Sequence, residues 1–215
     1  MQTVANQDNL RHVKPVHDSN VTQLNAGNDP VDFSDEQLMI SYGRGDVAAF
    51  ETLYHRNKGA LYRYFLRQTS QSAIAEEMSH DVWLRIIKSR ERYLPEARFT
   101  TYLYQIAHNC LVDFYRKQAN QPVMNGSEQH LDTVPAGDDC DPEIQTDNRQ
   151  ARTALLQLLA QLPAEQREVF ILKEEAQLSI EDIANVINEN PETVKSRLRY
   201  ATRKLKGGLQ EWLNR

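Results

Sequence analysis

Residues 179–206 read SIEDIANVINENPETVKSRLRYATRKLK and predict two helices joined by a tight turn. Ser179, with Asp182 three residues later, approximates a capping box at the start of the first helix. Asn190 is a plausible N-cap of the second helix, and Pro191 suits its first position. Two short helices joined in this way are the helix-turn-helix pattern. The first helix has one apolar face, formed by Ile180, Ile183, Ala184 and Ile187.

The second of these helices predicts a buried stripe and an opposite cationic face. Val194, Leu198, Ala201 and Leu205 share one arc at 100° per residue and should face the core. From Pro191 to Lys206 the chain has six cations against Glu192 alone. The residues opposite the apolar arc, with their flanking cations, are Ser196, Arg199, Tyr200, Arg203, Lys195, Arg197, Lys204 and Lys206.

A run of cations can simply be the solvated surface of an ordinary helix. Here the preceding capped helix, the turn and the apolar stripe together favour a DNA reader. Ser196 and Arg199 are best placed to reach base edges in the major groove. Lys195, Arg197 and Arg203 are better placed to contact phosphates, where each neutralised phosphate releases counterions.

The charge of the 215-residue chain is unevenly distributed. The net charge is -5, yet residues 119–149 alone have seven carboxylates against one cation, while residues 34–118 and 150–215 each have a small cationic excess. The overall acidity therefore says little about what either flanking block binds. Prolines and glycines interrupt residues 119–149, which predicts a flexible acidic linker.

Upstream of the linker the pattern is helical. Ser34 and Gln37 fit a capping box, Asp46 can cap a second helix, and further helices are expected over roughly 73–90 and 100–117. Helical periodicity returns near Leu155, and no segment shows convincing strand alternation. The chain is therefore predicted to be all-α, with residues 34–118 and 150–215 forming two small helical domains.

The ends of the chain and the cysteines exclude several classes of protein. Residues 1–33 lack periodicity and predict a mobile, disordered tail. They contain no apolar leader segment, and no stretch reaches the length of a spanning helix, so a cytoplasmic protein without membrane insertion is expected. Cys110 and Cys140 form neither a disulfide framework nor a metal cluster, and no cofactor is expected.

The helix expected over 100–117 has two different stripes. Leu103, Ala107, Cys110 and Phe114 form a core stripe. The second stripe mixes aromatic, hydrogen-bonding and basic groups, which suit unstacked bases because any base can stack on a ring. An aromatic stripe at helical spacing is, however, more often part of a core. The members of this second stripe are Thr101, Tyr104, Gln105, His108, Val112 and Tyr115, and it ends at Arg116 and Lys117.

Three segments resemble one known family. FTTYLYQIAHNCLVDFYRK (99–117) is similar to regions 2.3 and 2.4 of bacterial ECF (group IV) sigma factors, and AEEMSHDVWLRIIK (75–88) is similar to their region 2.2. Residues 162–205 resemble their region 4. The resemblance covers about residues 35–207 and implies a region 2 helical bundle and a region 4 helix-turn-helix. Such a subunit binds core RNA polymerase, directs it to a promoter and helps melt the minus-ten element.

The resemblance also implies site residues and partners. The implied partners are core RNA polymerase, promoter DNA and an anti-sigma factor, with no small-molecule substrate, and the implied setting is a stress or envelope response. The region 2.2 helix places polymerase binding on Glu77, His80, Asp81 and Arg85. Minus-thirty-five binding falls on Thr193, Lys195, Ser196, Arg197, Arg199, Tyr200 and Arg203. Minus-ten binding falls on Arg98, Phe99, Thr101, Tyr104, Gln105, His108, Asn109, Val112, Tyr115, Arg116 and Lys117.

Several positions depart from the usual pattern of that family, namely His80, Tyr102, Gln105, His108, Asn188 and Tyr200. Asn188 lies where Gly is usual in the turn, a change that Asn tolerates because it can adopt a left-handed backbone. Tyr200 lies where Arg is frequent, which leaves the promoter sequence open.

Two other functions compete with transcription initiation. A stand-alone helix-turn-helix regulator would explain residues 162–206 but leaves the aromatic and basic helix at 100–117 without a role. An enzyme has little support, because no phosphate-cradling loop, metal-ligand spacing or nucleophile arrangement is present. His80 and Asp81 adjoin in sequence but point to different helix faces, so they do not form a catalytic dyad.

Overall fold

The computed structural model describes residues 33–119 and 145–214, with side chains from Gln150 onwards in the second range. These residues form α-helices and one short 3-10 helix, Arg90–Arg92, without a β-strand among them. The all-α prediction is confirmed. The helices are α1 (Asp35–Gly43), α2 (Val47–Thr69), α3 (Ser72–Ser89), α4 (Phe99–Ala119), α5 (Gln145–Ala160), α6 (Ala164–Glu174), α7 (Ile180–Ile187) and α8 (Pro191–Leu213).

Helices α1–α4 form the first module, and side-chain caps fix where α1 and α2 begin. The Ser34 side chain accepts from the Gln37 amide while the Gln37 side chain accepts from the Ser34 amide, so the expected capping box is present. The Asp46 carboxylate accepts from the amides of Ala48 and Ala49 at 3.0 and 3.2 Å and starts α2. Such caps satisfy backbone N–H groups that the first helical turn leaves without a partner.

Helices α5–α8 form the second module, which contains the predicted helix-turn-helix. Ser179 and Asp182 form the capping box of α7. Asn188 ends α7 in the left-handed conformation, with φ 52°, and Asn190 caps α8 by accepting from the Thr193 amide at 2.8 Å. Each turn residue therefore adopts the conformation expected from its chemistry.

The start of α5 differs from the prediction, and some predicted segments cannot be compared with the structure. Helix α5 begins at Gln145, so the helical chain resumes before the end of the predicted 119–149 linker. The tail at 1–32, most of the linker and Cys140 lie outside the described residues. Cys110 is buried in α4, as its position in the apolar stripe predicted.

The two modules share one apolar core. A single cluster of buried side chains runs from Leu38 and Phe65 in the first module to Leu172 and Ile183 in the second. A smaller cluster joins α5 to α8 through Leu159, Leu162, Ala201 and Leu205. The two helical domains expected from the sequence are confirmed, but they pack directly on each other through α2 and α4 against α6 and α7.

Candidate nucleic-acid interfaces

Helix α8 separates its apolar and cationic faces as the sequence predicted. Val194, Ala201 and Leu205 are buried, and Leu198 packs half-buried against the core. The opposite face keeps Lys195, Arg199, Tyr200 and Arg203 exposed, with Thr193 and Ser196 half-buried beside them. The exposed face of α8 can therefore approach a groove of DNA without unfolding the core.

Tyr200 lies between two guanidinium groups on this face. The Arg199 Cζ is 5.4 Å and the Arg203 Cζ 5.8 Å from the centre of the Tyr200 ring, which is 49% exposed. Cations over a ring are attracted to its electron-rich face. The ring therefore helps to hold both arginine side chains near one patch of the surface.

Arg197 differs from these arginines. Its Nη2 lies 2.7 Å from Glu165 Oε2 and 3.0 Å from Glu189 Oε1, and its side chain is only 20% exposed. The expectation that Arg197 faces outward with the other cations is wrong. Arg197 follows Val194 by three positions, so it lies beside the buried stripe, where the carboxylates of α6 and the turn reach it.

Helix α4 presents two polar stripes with different surroundings. The outer stripe, Gln105, Asn109, Val112 and Arg116, is exposed, and Arg98 and Lys117 are exposed at the two ends of the helix. The inner stripe, Thr101, Tyr104, His108, Leu111 and Tyr115, faces the second module. Neighbouring positions on a helix are 100° apart, which places Tyr104 and Gln105 on different faces.

The expectation that the whole aromatic stripe of α4 faces solvent is wrong. Tyr104 is 3% exposed, Thr101 is 5% exposed and Phe99 is fully buried, while His108 and Tyr115 are half-buried. Burial raises the pKa of Tyr104 to about 12, so its hydroxyl stays protonated. The alternative interpretation, a stripe that belongs to the core, is correct for Tyr104, which packs against Tyr64 of α2, and for Thr101, which donates to Asp182 of α7. Phe99, outside the stripe, is buried against Tyr93 and Tyr102.

Polar contacts between the modules converge on Glu168. Tyr64 donates to Glu168 Oε1 at 2.6 Å, and Nδ1 of His108 lies 2.7 Å from the same oxygen. Burial, and then the Glu168 carboxylate, raise the pKa of Tyr64 well above its ordinary value, which keeps the phenol protonated as a donor. Beside it, Arg167 donates to the Gln68 side chain at 3.2 Å and to the Gln68 carbonyl at 3.1 Å.

The sequence interpretation missed these contact residues. Arg167 and Glu168 lie one turn before the buried Ile171 and Leu172, on the same side of α6. Charged residues on a buried helix face need partners, and that position was the available signal. The partners themselves come from α2 and α4, about 60 to 100 residues away in the chain, which no local pattern reveals.

The outer face of α3 is the third candidate interface. Glu77, His80, Asp81 and Arg85 are all exposed, and Leu84 lies among them with 37% of its surface exposed. Sequence interpretation missed Leu84, although its spacing from Asp81 and Arg85 places it on the same face. We call this surface, Glu77, His80, Asp81, Leu84, Arg85 and Lys88, the clamp face.

Comparisons with known proteins follow the same division into modules. Residues 53–121 match the model of Sigma-70 region 2, and residues 152–205 match that of Sigma-70 region 4. The RNA polymerase sigma factor CarQ of Myxococcus xanthus is 30% identical, over 80% of this chain and 96% of its own length. The ECF RNA polymerase sigma factor SigL of Mycobacterium tuberculosis is also 30% identical, over 77% of this chain and 92% of its own.

This chain belongs to the ECF RNA polymerase sigma factors. It is a sigma factor that binds core RNA polymerase and directs promoter-specific transcription initiation. Sigma factors are regulatory subunits that act on cytoplasmic RNA polymerase. No helix in the described part of this sigma factor combines the length and the apolar content that crossing a membrane requires.

Two solved structures share the fold of this sigma factor. CnrH, in complex with the cytosolic domain of CnrY, aligns with a TM-score of 0.60 at 19% identity, over 85% of this chain and 99% of CnrH. RpoE of Bartonella quintana, in complex with the anti-sigma factor NepR, aligns with a TM-score of 0.61 at 21% identity, over 76% of this chain and 98% of RpoE.

Proposed function

We propose that this sigma factor divides promoter recognition between its modules. Residues 34–118 act as region 2, which binds polymerase and reads and melts the minus-ten element. Residues 150–215 act as region 4, which reads the minus-thirty-five element, and residues 119–149 connect them. The protein works in the cytoplasm without a catalytic reaction, a cofactor or a small-molecule substrate of its own. The observation that carries the proposal is the exposed cationic face of α8 over a buried apolar stripe.

The minus-thirty-five contact is assigned to the exposed face of α8. Ser196 and Arg199, in the second and third turns, face the bases of the major groove. Lys195 and Arg203 contact phosphates, and Tyr200 holds Arg199 and Arg203 in place. Lys195 also lies 2.8 Å from Glu192, a surface pair that costs little to break when a phosphate takes its place.

The minus-ten contact is assigned to α4 in two parts. The outer stripe is open to a single strand as the structure stands, and Arg98, Arg116 and Lys117 can attract its phosphates. The inner stripe, with Thr101, Tyr104, His108 and Tyr115, keeps its proposed role in holding unstacked bases only after the second module moves away. Phe99, buried beside Tyr93 and Tyr102 at the start of α4, is a further proposed contact.

The polymerase contact is assigned to the clamp face. Its charged residues surround the half-exposed Leu84, an arrangement of an apolar centre with a polar rim that is common in protein interfaces. An anti-sigma partner is also proposed, because RpoE was solved with an anti-sigma factor and CnrH with a cytosolic domain of CnrY. Control of a stress or envelope response fits such a partner.

The test is transcription reconstituted from purified protein and core polymerase on a panel of promoter fragments. We expect a co-eluting complex and promoter-dependent transcripts. Asp81→Ala should weaken polymerase binding several-fold, about 1 kcal/mol for a lost interfacial charge contact. Glu51→Ala, the same change at an exposed position of α2 outside the clamp face, should not. Tight duplex binding without any polymerase complex would instead favour a stand-alone regulator.

A further inference from the structure

The surface between the modules is built from specific polar pairs. Thr101 donates to Asp182 at 3.1 Å, Tyr64 donates to Glu168 at 2.6 Å, and Arg67 forms an ion pair with Glu175. Each pair joins α2 or α4 of the first module to α6, α7 or the segment between them. Apolar side chains from both modules surround these pairs in one continuous cluster.

Arg167 and Glu168 depend on the first module for their hydrogen-bond partners. Both charged side chains are nearly buried, and the hydrogen bonds that satisfy Glu168 come from Tyr64 and His108 of the first module. Arg167 donates twice to Gln68, which lies in the same module. Buried charges are stable in a protein only where partners compensate the lost hydration. The second module therefore has a face fitted to the first.

The closed arrangement is incompatible with reading both promoter elements at once. The minus-thirty-five and minus-ten elements are about 25 base pairs apart, roughly 85 Å at 3.4 Å per base pair. Modules joined by direct hydrogen bonds cannot span that distance. The 25 residues between α4 and α5, 120–144, reach at most about 85 Å when fully extended, so the connecting chain is long enough for the modules to separate.

We propose that the free chain rests in a closed state in which the second module covers the inner stripe of α4. The Glu168 cluster, Glu168 with Tyr64 and His108, is the latch that holds this state. In the closed state the exposed face of α8 and the outer stripe stay accessible to DNA, whereas the inner stripe does not. Release of the latch is required before the minus-ten strand can be held open, an inference that rests on the proposed function.

The direct test measures the distance between the modules in the full chain. Spin labels are placed at the exposed positions Glu76 of α3 and Gln210 of α8, in a background with Cys110→Ala and Cys140→Ser. We expect one narrow distance distribution for the otherwise unchanged chain. Glu168→Lys should give a broader and longer distribution, because it removes the carboxylate that accepts from Tyr64 and places a cation against His108.

Glu174→Lys is the matched control, since it makes the same charge change at an exposed position of the same helix. It should leave the distribution narrow. Tyr64→Phe removes only the hydroxyl that donates to Glu168, and it should broaden the distribution partly while keeping the aromatic core. If Glu168→Lys does not fold, as judged by circular dichroism, the distance distribution of Tyr64→Phe tests the latch instead. A broad distribution in the unchanged chain, or a narrow one in every folded latch variant, overturns the proposal.

A second measurement separates the latch from the proposed function. If opening limits binding, the apparent affinity of Glu168→Lys for core polymerase should exceed that of the unchanged chain by up to about tenfold, the factor expected when a tenth of the free chain is open. If the unchanged chain initiates at promoters but the latch variant matches it in both distance and affinity, the latch alone is refuted. If the unchanged chain produces no promoter-dependent transcript, the proposed function itself is refuted.

Discussion

Arg197 and Arg199 lie two positions apart on α8, yet their side chains have different surroundings. Arg197 forms ion pairs with Glu165 and Glu189, whereas Arg199 lies over the ring of Tyr200 on the exposed face. A two-residue step on a helix turns the side chain by about 200°. The same residue type therefore serves the protein's own packing at one position and is exposed at the other.

The two arginines give a matched pair of variants. Arg199→Ala should lower affinity for a minus-thirty-five duplex by about 1–3 kcal/mol if the guanidinium contacts a base edge. Arg197→Ala should change it much less and should instead lower the unfolding free energy. Fluorescence anisotropy on specific and scrambled duplexes, with the polymerase complex, measures the DNA affinity of both variants. An equal loss of affinity for both duplexes in Arg199→Ala would show that Arg199 contacts a phosphate and not a base edge.

Asn188 shows the conformational demand of the turn. Its φ of 52° places a side-chain-bearing residue in the left-handed region. Asn188→Ala should lower the free energy of unfolding by about 1 kcal/mol, because alanine has no local hydrogen bond to offset the steric cost. Asn188→Gly should raise it by a few tenths up to about 1 kcal/mol. Urea unfolding measures both, and a destabilised glycine variant would contradict this account.

At the level of single elements, helix ends combine stability with contacts to the neighbouring module. Asp182 belongs to the capping box of α7 and also accepts from Thr101 of α4. Burial alone would raise the pKa of Asp182, but hydrogen bonds from Ser179 and Thr101 outweigh it and lower the pKa below its ordinary value. The carboxylate form is therefore the one that the folded state stabilises.

The stabilisation from Asp182 should disappear in acid. A carboxyl group with a lowered pKa in the folded state contributes its full stabilisation above its unfolded pKa, near pH 4, and loses it as the pH falls through the folded value. Asp182→Asn should cost about 1 kcal/mol at pH 7, and this difference should shrink towards pH 3. Urea unfolding at several pH values measures it, with Glu181→Gln as the exposed neighbouring control. A difference that is independent of pH would contradict the assignment.

The end of α1 depends on a close backbone approach. A Cβ added at Gly43 would lie 2.7 Å from the carbonyl oxygen of Arg90, whereas one added at Gly59 in α2 would meet only the flexible end of Arg63, at 3.2 Å. Gly43→Ala should therefore destabilise the protein by about 1–3 kcal/mol. Gly59→Ala should stabilise it by up to about 1 kcal/mol through helix propensity. Thermal unfolding compares the two, and a neutral Gly43→Ala would show that the 3-10 helix can move aside.

At the scale of the whole molecule, the shared core makes the modules depend on each other. The main apolar cluster continues from α1–α4 into α6, α7 and the start of α8. The polar pairs around Glu168 and Asp182 fix how the modules are oriented. A molecule with separate cores would lack this coupling, and each module would unfold by itself.

The coupling predicts how the protein unfolds. The full chain should show one cooperative transition in calorimetry, with agreement between the calorimetric and van't Hoff enthalpies. Glu168→Lys should separate this into two transitions, since it weakens the contact that joins the modules, while Glu174→Lys should retain one. Two transitions in the unaltered chain would mean that the shared core contributes little to stability.

The sequence alone determined the helical elements and the starts of those with side-chain caps, because both depend on neighbours along the chain. Ser34, Asp46, Ser179 and Asn190 cap helices as their chemistry predicts, and the apolar stripe of α8 is buried as its spacing predicts. The family followed from the same local patterns. Even the left-handed turn at Asn188 could be anticipated.

Tertiary structure alone decided what each polar face meets. Periodicity establishes that Tyr104 and Thr101 share a stripe, but it does not say whether DNA, solvent or another helix lies against it. Here α7 lies along α4 and the ring of Tyr104 packs on Tyr64, so Tyr104 is buried. Glu165 and Glu189 draw Arg197 away from the exposed face. Contacts between residues distant in the chain depend on how whole helices pack, and that packing is a property of the folded molecule rather than of any local segment.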